Sequence, residues 1–176
     1  MIQHLPKLAF ILALLLVGFI PDSGSKTDTH WTLTADRDYL PALLEDLRSA
    51  KKSVTVTMYL IQMEDPERHS LLKGLLDELI ACQKRGVAVS VLAEATIPRD
   101  EEPAIRSSGA LHYLAKGGVA VFTDSPTTIT HSKVVVIDEA IVHLGSSNWT
   151  YSAFMKNHEC NLRIRDPELA RQLLDA

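Results

Sequence analysis

Basic charge is what this 176-residue sequence most conspicuously lacks. Its 18 Lys and Arg are outnumbered by 22 Asp and Glu, for a formal net charge of -4. That balance excludes a strongly basic protein that coats nucleic acid indiscriminately. A local basic site remains compatible with it, because affinity follows the patch that meets the phosphates. Cysteine is scarce as well. Cys82 and Cys160 stand far apart, without metal-ligand spacing. In an oxidising compartment they are able to form one disulfide; otherwise they read as two small buried thiols. No run of carboxylates, His or Cys stands at metal-ligand spacing, so neither a metal nor another cofactor is expected. Internal repeats are missing. Long apolar runs are missing too, with one exception, Leu8 to Ile20, which reads LAFILALLLVGFI. It is shorter than the roughly 20 residues of a membrane-spanning helix. Lys7 precedes it, Pro21 stops it, and Asp22-Ser23-Gly24-Ser25 follows. Residues 1–25 are therefore read as a signal peptide or N-terminal membrane anchor. The protein is expected to be exported, periplasmic or secreted, and attached to a membrane if that segment is retained.

Residues 26–176 have the composition and length of one globular domain. Leu40, Leu43, Leu44 and Leu47 form an apolar stripe at helical spacing over Asp38 to Ala50. Ser53 to Tyr59 is rich in β-branched residues and predicts a strand. Asp65-Pro66 opens a second helix, which Gly86 ends after Lys84 and Arg85. Val87 to Leu92 reads as a strand, Ile97 to Pro103 as a loop, Ala104 to Lys116 as a helix closed by Gly117-Gly118, and Val119 to Phe122 as a short strand. Val134 to Ile137 and Ile141 to Leu144, split by Asp138-Glu139-Ala140, predict a β-hairpin. Cys160 to Ile164 follows as a strand, and Pro167 to Leu174 as a terminal helix. Alternating strands and helices predict an α/β fold. The hairpin makes it a mixed β-sheet flanked by helices.

The chemistry concentrates between Thr130 and Leu162. His131 and Lys133, two apart, would project from one face of a strand. An imidazole and an ammonium placed so are suited to a phosphate, the lysine neutralising an oxygen and the histidine close to phosphorus. The hairpin returns the chain so that Gly145-Ser146-Ser147-Asn148 arrives at the same end. Gly145 permits close backbone approach, and Ser146 and Asn148 add neutral donors for phosphate oxygens. Glu159 is able to accept a hydrogen bond from one ring nitrogen of the histidine, leaving the other free to attack. Singly these residues are ordinary: a packed histidine, a solvated lysine, a turn aspartate, a plain loop, a surface carboxylate. Their ordered combination is not.

His131-x-Lys133-x4-Asp138-x6-Gly145-Ser146-x-Asn148 resembles the HKD motif of the phospholipase D superfamily. The likeness extends through Trp149, Thr150 and Asn157-His158-Glu159, and upstream to Tyr59, the Asp65-Pro66 helix and Arg85-Gly86-Val87. Members usually carry two motif copies, and this chain has one, so it resembles the small single-motif bacterial endonucleases and their mitochondrial relatives. The resemblance implies a phospholipase D-like fold with one motif per chain, and a homodimer in which two chains share one active site. It further implies that one His131 attacks phosphorus while the partner's His131 protonates the leaving oxygen. Lys133, Ser146 and Asn148 would bind the phosphate and Glu159 would orient the histidine. Asp138, the third letter of the motif, is expected to act structurally near the sheet edge rather than in proton transfer.

The leading functional expectation is a metal-independent nuclease that cuts DNA or RNA through a covalent phosphohistidine. The alternative is a phospholipase D-type hydrolase of membrane phospholipids, which would use the same motif. The third is an inactive nucleic-acid-binding module, against which the intact His131, Lys133, Asn148 and Glu159 argue. A basic groove beside the motif, built from Lys116, Lys156 and Arg163, would favour nucleic acid.

Overall fold

The computed structural model describes residues 30–63, 69–94, 102–125 and 127–176. The expected signal or anchor over 1–25, the Asp65-Pro66 helix start and the loop over 97–101 lie outside them.

Among the described residues seven strands form one sheet: β1 (His30–Ala35), β2 (Ser53–Met58), β3 (Ala88–Ala93), β4 (Ala120–Thr123), β5 (Lys133–Ile137), β6 (Ile141–Gly145) and β7 (Cys160–Arg165). Their order across the sheet is β1-β7-β6-β5-β2-β3-β4. β2, β3 and β4 run parallel, and every pairing from β2 through β5, β6 and β7 to β1 is antiparallel. The sheet is thus mixed, as the hairpin predicts. Helices α1 (Tyr39–Ser49), α2 (His69–Lys84) and α3 (Glu102–Lys116) cover one face. A one-turn α4 (Tyr151–Met155) follows the β6 loop, and α5 (Pro167–Asp175) lies on the other face.

Pattern explains placement. On β2, Val54, Val56 and Met58 are buried at every second position and meet Leu43 and Leu47 of α1 and Leu72, Leu75, Leu76 and Leu79 of α2 in the main core. A smaller cluster beneath α5 joins Val136, Val142 and Ala170. Gly118 takes φ +88, and any Cβ at Gly117 would collide with Ile80, so the glycine pair is needed where α3 turns into β4. α5 starts where Pro167 occupies its first turn and the Asp166 carboxylate accepts the Glu168 and Leu169 amides at 2.9 and 3.1 Å.

Four sequence readings need correction. β1 was not among the expected strands. It is an edge strand with Trp31 and Leu33 exposed, so burial does not sharpen its pattern. α3 starts at Glu102, two residues before Ala104, taking in the last two residues of the expected loop. The two-buried-thiols reading holds for Cys82 alone. Its thiol is buried and bonded to the Leu47 carbonyl, and burial pushes its pKa up; Cys160 is exposed, and the two are unpaired. Finally, Asp138 does not lie near a sheet edge, because β5 is the central strand of seven.

Candidate active site

The parallel and antiparallel halves of the sheet bring all seven strand ends to one side: the C-terminal ends of β1, β2, β3, β4 and β6 and the N-terminal ends of β5 and β7. Lys133 begins β5, opposite Met58. His131 stands two residues ahead of the strand, not on it, and is exposed. The two side chains still meet. Lys133 Nζ lies 3.4 Å from His131 Nδ1 and donates to the His131 carbonyl at 2.7 Å. The Tyr59 ring packs at 4.4 Å from the His131 ring, and Lys133 Nζ lies 5.1 Å from the Tyr59 centroid. Partial burial lowers the Lys133 pKa, with Glu159 nearby opposing the shift.

The β6 exit loop is locked to β7. A Cβ at Gly145 would strike the Cys160 carbonyl and Asn161, so only glycine fits. Buried Asn161 accepts the Ser147 amide at 3.2 Å and donates to Ser147 Oγ at 2.8 Å. Trp149, fully buried, donates from its indole to Tyr39 Oη at 3.2 Å, and Thr150 caps α4 by accepting the Ala153 amide. Ser146 and Asn148 are thereby fixed on either side of the anchored Ser147. Ser146 Oγ donates to Glu159 and accepts the Cys160 amide at 3.1 Å. Asn157 donates to the other Glu159 oxygen at 2.9 Å. Asn148 Oδ1 is buried with no hydrogen-bond partner among the described residues, so the fold leaves that oxygen unused.

Each expected residue therefore has a place. His131, Lys133, Ser146, Asn148 and Glu159 all belong to this end of the sheet. Within one chain Glu159 holds Ser146 and Asn157, whereas among the described residues the His131 ring meets Lys133 and Tyr59. Asp138 lies at the opposite end of β5. Its carboxylate accepts the backbone amides of Lys51, Lys52 and Ser53 at 2.6 to 3.1 Å, and these hold its pKa down against burial. It ties the hairpin turn to β2, at the far end of β5 from His131 and Lys133.

The anticipated basic groove is not assembled. Lys116 ends α3, at the opposite end of the sheet. Arg163 is bound through two nitrogens to Asp46 at 2.6 and 2.7 Å. Only Lys156, after α4, stands on the site's side. His143, on β6, is 1% exposed and bonded to Asp46 at 2.7 Å.

Sequence reasoning missed two supports. Asp36, at φ +50, accepts the Glu159 amide at 2.7 Å and returns its own amide to the Glu159 carbonyl at 3.0 Å. The Glu159 amide and His158 hold the Asp36 pKa down. Glu94, directly after β3, is buried and accepts the Thr130 amide. A charged residue closing the apolar run Val87 to Ala93 was the available signal. Among the described residues no three His, Cys, Asp or Glu side chains gather at metal-binding distance, and no helix is long and apolar enough to cross a membrane.

Residues 43–176 match the family model described as cardiolipin synthase, PLD-like domain. The chain is 32% identical over 126 residues to a phospholipase D of Rickettsia bellii, covering 67% of this chain and 60% of that protein. It is 26% identical over 153 residues to a mitochondrial cardiolipin hydrolase of Canis lupus familiaris, covering 87% of this chain and 54% of the other. It thus spans little more than half the length of these relatives. The crystal structure of Nuc from Salmonella typhimurium, a phospholipase D family member, matches with a TM-score of 0.68 and 27% identity, over 84% of this chain and 90% of that one. The motif, the sheet that presents it and these likenesses agree: the chain belongs to the phospholipase D superfamily and has its fold.

Proposed function

We propose that this chain is a metal-independent phosphodiesterase that cuts nucleic-acid phosphodiesters through a covalent phosphohistidine. The observation that carries the reading is the exposed His131 imidazole 3.4 Å from the Lys133 ammonium. A phosphate drawn to Lys133 has the nucleophile beside it. His131 attacks phosphorus, a nitrogen–phosphorus bond forms, and the leaving oxygen departs with a proton. Water then attacks the phosphohistidine and frees His131. Lys133 and Asn148 carry the phosphate charge as it develops, while Ser146 keeps Glu159 in place. Nuc, which this chain covers at 90% of its length, favours the small single-motif form of the family.

One chain offers one motif histidine, and the reaction needs an acid for the leaving oxygen. The partner's His131, brought in by a two-fold axis through the site, supplies it. Glu159, held beside Lys133, would steady the imidazole arriving from the partner subunit. Random dimers of wild-type and His131→Ala chains should show activity following the square of the wild-type fraction. A straight line, with mixing confirmed, refutes the shared site.

A second reading, hydrolysis of phospholipids, is favoured by the apolar side chains at this end of the sheet: Ile129 is 63% exposed and Phe122 57%. The purified chain should be assayed on plasmid DNA, RNA and phospholipid vesicles in excess chelator. Cleavage of nucleic acid alone supports the first reading, and cleavage of vesicles alone the second. Activity lost to chelator and restored by Mg²⁺ or Zn²⁺ overturns the mechanism. A chiral phosphorothioate diester should be hydrolysed with retention, since two in-line displacements occur; inversion means direct attack by water. Export is proposed from the Leu8 to Ile20 run: mass spectrometry of the mature protein should find a new N-terminus close to Lys26, and an intact cytosolic N-terminus refutes it.

A further inference from the structure

We infer that Glu94 is a positioning residue for His131, an assignment that rests on His131 being the nucleophile. Glu94 is 1% exposed, at the point where β3 delivers the chain to the site. Its carboxylate accepts the backbone amide of Thr130, the residue directly before His131. The Thr130 hydroxyl donates to Asp124, whose own amide is tied to the Ala93 carbonyl at 3.1 Å. Both carboxylates thus anchor Thr130 to the end of β3.

The chain beyond Thr130 is held from the other side. The His131 carbonyl accepts Lys133 Nζ, and the Ser132 carbonyl accepts the Tyr59 amide at 2.9 Å. His131 is exposed, and among the described residues its ring meets Tyr59 and the Lys133 ammonium and no core side chain, so core packing does not fix its direction. Its aim is set by backbone anchors on both flanks, and Glu94 is the buried one on the upstream flank. Burying a carboxylate is costly. What the charge gives in return is a stronger hydrogen bond than a neutral acceptor makes. One peptide unit it holds is that of Thr130, which leads into the nucleophile. A displacement of about 1 Å at a reacting group is enough to cost on the order of 10²-fold in rate.

Three substitutions separate reach from charge. Glu94→Gln keeps an acceptor oxygen at the same reach. Glu94→Asp keeps the charge and draws the acceptor back by one methylene. Glu94→Ala removes both. Positioning predicts a kcat loss of roughly 10²-fold for Ala and Asp, with KM changed little, and recovery by Gln to within about tenfold of wild type. Each variant is checked for folding by circular dichroism and thermal melting. The His131 ring resonances, read by NMR in the same samples, should shift in Asp and return in Gln. Wild-type kcat in Ala or Asp overturns the proposal. So does the reverse order, Asp active and Gln inactive, which assigns the role to charge. If Ala does not fold, the Asp and Gln pair decides alone. His131→Ala, run alongside, separates the two ideas. Activity retained there overturns the nucleophile reading and takes the Glu94 assignment with it, whereas activity lost there but kept in Glu94→Asp overturns only the latter.

Discussion

Two histidines on this sheet stand beside charged partners, and they have opposite fates. His143 is enclosed on β6, its Nε2 bonded to Asp46, which also takes two bonds from Arg163. His131 is exposed at the mouth of β5 beside Lys133. On a list of residue types the Asp46-His143-Arg163 cluster looks more like catalytic machinery than His131 does. Its geometry says otherwise. Asp46 is saturated by its two partners, and no substrate reaches an imidazole that is 1% exposed. The cluster clamps α1 to β6 and β7. A site is recognised by groups left available to a ligand, and the exposed His131 imidazole is available in that sense.

The contrast breaks most sharply at His131 itself. His131→Ala should lower kcat by at least the roughly 10²- to 10⁴-fold typical of a lost acid or base, and by more because attack is lost as well. Its melting temperature should stay near wild type, since the side chain is exposed. His143→Ala should do the reverse. It removes a buried hydrogen bond to a charge and leaves a cavity, a cost of about 3 kcal/mol. Activity per folded molecule should be preserved. Denaturant melts and kcat for both variants test this together, and loss of kcat in a folded His143→Ala protein would mean that the clamp reaches the site.

The next effect is a pH dependence. Burial works against the charge on Asp46, but hydrogen bonds from His143 and Arg163 outweigh it and hold the pKa at about 2, below the ordinary 3.8. A carboxylate depressed in the folded state contributes stability that is full above the unfolded value. That contribution is lost as pH falls from about 4 through about 2. At roughly 1.4 kcal/mol per unit it amounts to about 2 kcal/mol. The difference in stability between wild type and Asp46→Asn should therefore narrow over that interval. A constant difference from pH 6 to pH 2 contradicts the clamp as described.

The sequence made one of these histidines legible and hid the other, for a physical reason. His131, Lys133, Ser146, Asn148 and Glu159 lie within one hairpin and its exit, so their spacing already implies proximity. Strands such as β2 and β3 were readable because each has one buried face with period two. His143 meets partners 97 residues away at Asp46, and Asp46 meets Arg163 at a separation of 117. No local pattern encodes such a contact. Glu94 and Asp36 support the site in the same long-range way. Arg163 read as a surface cation because its partner was out of view. Asp138 was misplaced, because strand order, which puts β5 in the middle, follows from the crossovers and not from any one strand.

The smallest test acts at the far end of β5 from the nucleophile. Asp138 and Glu139 both have positive φ, +53 and +56, and the Ala140 amide donates to the Ile137 carbonyl at 3.1 Å, so the hairpin turns through two left-handed residues. Asp138 is held there by the three amides its carboxylate accepts. Glu139 is exposed and has no such compensation among the hydrogen bonds of the turn. A left-handed conformation costs an ordinary L-residue roughly 1 to 2 kcal/mol, which glycine does not incur. The greater freedom of glycine in the unfolded chain offsets part of the gain. Glu139→Gly should therefore stabilise the protein by about 1 kcal/mol, read as a rise in the denaturant midpoint. Its kcat should equal wild type, because the turn is a strand's length from His131. Destabilisation would mean that the Glu139 side chain has a role in the turn. A changed kcat would mean that the structural end of β5 and the site at its other end are coupled, and the division drawn between the two histidines would then fail.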